Sequence, residues 1–117
     1  MKYVPPPRFA RAEVERIMAS GTDAEVGEAL ISAAMTSADR GWVEEYAIRH
    51  VRDGAPQVQR CAALALGHLA RIHGVAAPEA VELLGALSDD PVTAGAAGDA
   101  LDDIAMFARA KDIPGSA

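Results

Sequence analysis

An all-helical fold of three antiparallel helix pairs is predicted for this 117-residue sequence, and three observations predict it. Apolar residues recur at three- and four-residue steps, the spacing of one face of a helix. Proline, glycine and capping residues divide the chain into six segments at regular intervals. Half the residues are hydrophobic but only 4% are aromatic. That alanine- and leucine-rich mixture suits closely packed helices and lacks the β-branched and aromatic density of a sheet.

The six segments follow in order. Pro5-Pro6-Pro7 is an extended lead-in over residues 1–7. A first helix runs from about Arg8 to Ser20, stopped by Gly21. Thr22 and Glu25 have the spacing of a capping box and open a second helix, ending near Thr36. Ser37 or Asp39 caps a third, which ends at Asp53-Gly54. Pro56 suits the first turn of a fourth, stopped at Gly74. Pro78 opens a fifth, ending near Ser88. Asp90 caps a sixth that starts at Pro91 and fades after Phe107, leaving a frayed tail over 108–117. The links are a few residues long, as helical hairpins require. The helix pairs therefore span 8–37, 39–74 and 78–107 of a single domain. Val58, Ala62, Ala65, Leu69 and Ile72 form the apolar stripe of the fourth helix. Ala97, Leu101, Ile104 and Phe107 form that of the sixth. The core is expected to depend on Leu66, Leu69, Leu101 and Ile104.

A repeat is visible within the chain. Shifting the fourth helix by 35 residues brings Pro56 onto Pro91, Ala62 onto Ala97, Leu66 onto Leu101, Leu69 onto Ile104 and Ile72 onto Phe107. The stretch from Pro56 to Leu69, with its proline, valine, basic residue, alanine run and Leu66-Gly67, resembles the second helix of a HEAT repeat. Asp90-Pro91 resembles the Asp-Pro opening of the next repeat. The resemblance covers residues 39–107 and implies a short right-handed α-solenoid. Gly95 and Gly98 depart from the pattern. Helical glycines cost roughly 1 kcal/mol each, and they are expected only where a backbone comes close or packing tolerates them.

Charge is distributed unevenly. Residues 1–75 carry nine acidic and nine basic side chains, whereas residues 76–117 carry eight acidic ones against Arg109 and Lys111, so the whole net charge of −6 lies in the last third. A localised acidic surface fits a basic protein partner and argues against nucleic acid, which needs a positive footprint. No apolar run is long enough to span a membrane and the N-terminus carries no apolar signal core, so a cytoplasmic setting is expected. The lone Cys61 sits in an apolar run and reads as a small buried residue.

Signals for catalysis are weak, and neither a metal nor another cofactor is expected. Phosphate loops, Cys-x-x-Cys and His-Glu-x-x-His patterns are missing. His68 and His73 do not share a helix face, and His50 lies on another helix. Glu44-Glu45, Asp89-Asp90 and Asp102-Asp103 are neighbours in sequence, which on a helix point about 100° apart and do not make an acid–base pair. Asp89 and Asp90 have a structural use at the start of the sixth helix and are also candidate contacts.

The sharpest candidate is the stripe of Asp99, Asp102, Asp103 and Met106, opposite the apolar face of the sixth helix. Its carboxylates repel one another and find no compensating cation at helical spacing except Arg109, beyond the stripe. The stripe is either retained for binding or merely solvated. The matching stripe of the fourth helix offers Arg60, Leu64, His68 and Arg71, so a basic strip can lie beside an acidic one. Trp42 and Tyr46 are candidates either for a binding hot spot or for packing between helix pairs.

The segments Gly67-His68-Leu69-Ala70-Arg71-Ile72-His73-Gly74 and Asp99-Ala100-Leu101-Asp102-Asp103-Ile104 resemble small bacterial HEAT-repeat immunity proteins. That resemblance implies a non-enzymatic inhibitor that neutralises a toxin, and an acidic patch suits a nuclease, whose active-site surface is basic. Alternatives are a scaffold or adaptor domain of a larger assembly, or an accessory protein of the phycobilin-lyase type.

Overall fold

The structure, a computed structural model, describes residues 10–108. Those residues form six helices and no strand: α1 (Arg11–Ser20), α2 (Asp23–Thr36), α3 (Arg40–Asp53), α4 (Pro56–His73), α5 (Pro78–Leu87) and α6 (Ala94–Phe107). The expected lead-in, Arg8, and Arg109, Lys111 and the rest of the tail lie outside the described residues; the first helix begins later than expected, at Arg11, because Ala10 is extended. No helix among those described is long and apolar enough to cross a membrane.

Local chemistry explains most boundaries. The capping box forms at α2: the Glu25 N–H donates to Thr22 Oγ1 (3.2 Å) and the Thr22 N–H to Glu25 Oε1 (2.9 Å). These bonds, the backbone one foremost, hold the Glu25 carboxyl below its ordinary range. Of the two caps considered for α3, Asp39 accepts the Trp42 N–H (3.1 Å), while the Ser37 hydroxyl accepts from the Asp39 N–H. Pro56 occupies the first turn of α4. Gly74 ends that helix in the left-handed region, at φ 74°, where a side chain would be strained.

The sixth helix corrects the reading of its start. Asp90 and Pro91 build a turn instead of the helix opening. The Asp90 carboxylate accepts the Val92 N–H (2.9 Å), its carbonyl accepts from Thr93 and Ala94, and regular helix begins at Ala94. Thr93, fully buried, fixes the turn by donating its hydroxyl to the Leu87 carbonyl (2.8 Å). A tertiary bond that joins the ends of α5 and α6 thus sets where the helix begins.

The helices pack in two rows. In one row, α2 lies against α4 and α4 against α6. In the other, α3 covers α2, α4 and α5, while α1 rests on α2 and α5 on α6. Residues of α2 to α6 share a continuous apolar core in which Leu30, Val43, Leu69 and Leu84 are fully buried. Alanine and glycine set the spacing within the first row. A Cβ on Gly27 would lie 2.7 Å from Cys61 Sγ, and one on Gly67 would lie 3.2 Å from Ala100 Cα. Both glycines therefore mark close helix approaches. Gly95 and Gly98 do not, because open space surrounds them.

Two apolar stripes are narrower than expected. Val58, Ala62, Ala65 and Leu69 are buried, but Ile72 is 51% exposed. On the helical wheel Ile72 shares the edge of the stripe with Cys61 and His68. On α6, Ala97 and Ile104 are buried, Leu101 only partly, and Phe107 is 37% exposed. Cys61 is partly buried, and burial pushes its thiol above the ordinary value, opposed by Arg60.

A substitution series checks this packing by thermal or denaturant unfolding. Leu69→Ala should cost about 2–5 kcal/mol through the cavity it leaves. Gly67→Val should cost about 1–3 kcal/mol by forcing α4 from α6. Gly98→Ala, which meets nothing, should gain roughly 0.5–1 kcal/mol in helix propensity. A Gly67→Val protein as stable as the parent would contradict the close approach.

Candidate functional site

The close contact of α4 and α6 creates a cleft of about 350 Å³. From α4, Leu64 and Gly67 contribute its floor and His68 and Arg71 its wall. From α6, Ala100 completes the floor, and Asp99, Asp102 and Asp103 form the opposite wall. The glycine that allows the approach also seats a carboxylate, because a Cβ on Gly67 would stand 3.0 Å from Asp103 Oδ2.

Leu64, His68 and Arg71 of one expected strip and Asp99, Asp102 and Asp103 of the other thus line a single cleft, while Arg60 and Met106 lie outside it. Arg71 Nη2 donates to His68 Nδ1, and Arg71 Nη1 lies 4.0 Å from Asp103 Oδ2. That contact supplies across helices the compensating charge that α6 lacks along its own length. Asp99 and Asp102 are exposed and meet no cation among the described residues. Met106, 75% exposed, continues the stripe one turn further on. Burial lowers the basicity of His68, the Arg71 guanidinium lowers it further, and Asp103 opposes both. His68 is therefore neutral at physiological pH, which agrees with its accepting a hydrogen bond at Nδ1.

The remaining candidates lie elsewhere. Arg60 is exposed near the start of α4 and does not line the cleft. Asp89 and Asp90 are exposed in the turn between α5 and α6. Trp42 and Tyr46 are partly buried against the core, edge to face at 5.6 Å. Arg11 stacks over Trp42 at 4.5 Å and ion-pairs with Asp39, while Arg49 lies over Tyr46. Together these contacts fasten α1 to α3, and the rings also edge a shallow hollow with Glu15, Glu45 and Arg49. His50 hydrogen-bonds through Nδ1 to the Tyr46 carbonyl (2.8 Å), and His68 alone of the three histidines lines the cleft.

One important carboxylate escaped the sequence reading. Glu44 looked like half of an acidic pair, but it is 8% exposed and the structure separates it from Glu45. Its Oε1 accepts from Arg40 Nη1 (2.7 Å), and its Oε2 accepts the Ala77 N–H (2.9 Å). Glu44 thereby caps α5, whose own N-cap residue Ala77 has no side chain able to do so. The Arg52–Glu79 ion pair is a second tie between the same helices. The only sequence signal for Glu44 was an i,i+4 arginine–glutamate pair, which is common on exposed helices.

No protein-family model matches the sequence, and no curated protein sequence matches it. A solved structure does. The chain is similar to one in the crystal structure of a CDI complex from Cupriavidus taiwanensis LMG 19424, with 33% sequence identity and a TM-score of 0.78 over 92% of this chain and 97% of that one.

Titration of His68 checks the electrostatics of the cleft. By NMR its midpoint should lie below the ordinary imidazole value of about 6.5. Because folding favours the neutral ring, the stabilisation is present above that value and is lost as pH falls through the lowered one. Asp103→Asn should lower the midpoint further, and Arg71→Gln should raise it. Opposite movements would mean that the two charges do not act on the ring as placed.

Proposed function

The chain belongs to the same family as the CDI-complex chain of Cupriavidus taiwanensis, and from that premise we propose that it is the immunity component of a contact-dependent inhibition pair. In this reading it is a non-enzymatic, HEAT-like protein of the bacterial cytoplasm. It neutralises a toxin by covering the toxin's active-site surface. The observation that carries the reading is the near end-to-end match, 92% of this chain and 97% of the other, to a component of a CDI complex.

The partner-facing surface is proposed to be the exposed side of α6, centred on Asp99, Asp102, Asp103 and Met106, with Asp89 and Asp90 at its rim. All of the net negative charge lies after residue 75. A surface of that sign suits a basic toxin face and hence a nuclease, whose substrate cleft must attract phosphates. Met106 adds an exposed apolar contact beside the carboxylates. Trp42 and Tyr46 are secondary candidates, since both rings already serve in packing.

Co-expression with the cognate toxin domain of the proposed pair tests the proposal. Cells should survive, and the purified proteins should form a complex in which the toxin is inactive. The Asp99→Asn, Asp102→Asn, Asp103→Asn triple variant should fold, because repulsion along α6 is relieved. It should bind roughly tenfold more weakly or worse and lose part of the salt dependence. A chain that neither binds nor silences that toxin would refute the immunity reading. Parent-like binding by the triple variant, with loss on neutralising Arg60, His68 and Arg71, would move the contact to the basic strip.

A further inference from the structure

We propose that the α4–α6 cleft receives one arginine side chain of the protein partner, its guanidinium held by the carboxylates of Asp102 and Asp103 and its alkyl stem laid on Leu64 and Ala100. This deepens the immunity reading and rests on it for the identity of the partner, but not for the chemistry of the cleft.

Size gives the first argument. At about 350 Å³ the cleft lies at the small end of ligand pockets. It can admit a single long side chain, whereas a helix, about 10–12 Å across with its side chains, is too wide. Charge gives the second. Three carboxylates face one guanidinium, and His68 is neutral, so the walls carry an excess of two negative charges. A cation is complementary to that excess and an anion is repelled. Shape gives the third. The floor is apolar and the wall carries carboxylates, which matches the apolar stem and planar, multiply donating head of arginine better than the point charge of lysine.

Arg71 has a defined part in this arrangement. Its Nη2 is tied to His68 Nδ1, while its contact with Asp103 is loose, at 4.0 Å, with the two side chains 45% and 29% exposed. Such a pair is weak in water. Arg71 therefore holds the Asp103 carboxylate in the cleft wall of the free protein and yields it to the incoming guanidinium. Removing Arg71 should strengthen binding, the opposite of what a general basic contact strip would show.

The test uses the isotope-labelled full chain and the short capped peptide acetyl-Gly-Arg-Gly-amide, followed by NMR. Amide shifts should map to residues 64–71 and 99–103. The same peptide with citrulline, which keeps the shape and loses the charge, should bind roughly tenfold more weakly, and the lysine peptide should fall between the two. The Asp102→Asn, Asp103→Asn variant should lose the effect, and Arg71→Gln should bind about twofold tighter or better. Equal shifts with citrulline, shifts that map elsewhere, no shift at all, or weaker binding by Arg71→Gln would each overturn the proposal. Lysine binding as tightly as arginine would overturn the assignment of a guanidinium. A chain that silences its toxin but ignores the arginine peptide loses this inference alone. A chain that binds the peptide but spares no cell from the toxin loses the immunity reading alone.

Discussion

The architecture depends on how closely other helices can approach α4. It packs against α2, α3 and α6, and five of its eight buried residues are alanine or glycine. Small side chains give little transfer energy individually, but they let backbones come close enough for the leucines on neighbouring helices to pack without voids. Leu66 and Leu69 supply the larger apolar contribution from α4 itself. Gly27 on α2 and Gly67 on α4 set the spacing on either side.

The cleft is a consequence of that spacing. Because Gly67 has no Cβ, Ala100 and the Asp103 carboxylate settle against the α4 backbone, and charged residues of two helices that would otherwise be separate surface strips line one concavity. The electrostatics follow from the same contact. Asp103 meets Arg71, Arg71 meets His68, and burial of the imidazole keeps it neutral. Of the three cleft carboxylates, Asp99 and Asp102 are left without an ion pair among the described residues. The acidic character of the α6 face is thus concentrated, and it is mounted on a part of the fold that is tightly packed from behind.

Away from the cleft, on α3, the aromatic pair is engaged differently. Trp42 is occupied by Arg11 and by Tyr46, and this cluster fixes α1 to α3. Glu44, two residues from either ring, closes α5 onto α3 through the Ala77 N–H. A buried carboxylate that accepts from both a guanidinium and an orphan helix-end amide is well satisfied, which is the condition under which a charged group tolerates burial.

Short-range chemistry determined what was legible in the sequence. The six helices, the Thr22–Glu25 capping box, the Asp39 cap, Pro56 and Gly74 all depend on residues within a turn of one another, and the uneven charge needs only counting. The α6 carboxylate stripe and the opposing residues on α4 were legible for the same reason, since helical spacing fixes which side chains share a face. Partnerships between helices were not legible. Nothing local to Asp103 indicates Arg71, nothing local to Glu44 indicates Ala77, and the start of α6 at Ala94 is set by the Thr93 hydroxyl reaching Leu87. Ile72 and Phe107 fit the apolar period yet lie exposed, because a period gives the direction of a side chain and not whether a neighbour stands opposite it. The sequence by itself determined the helices and their faces. The tertiary structure decided which faces meet, because that depends on helix crossings between residues about thirty positions apart, where the size of a side chain such as the missing one at Gly67 sets the distance.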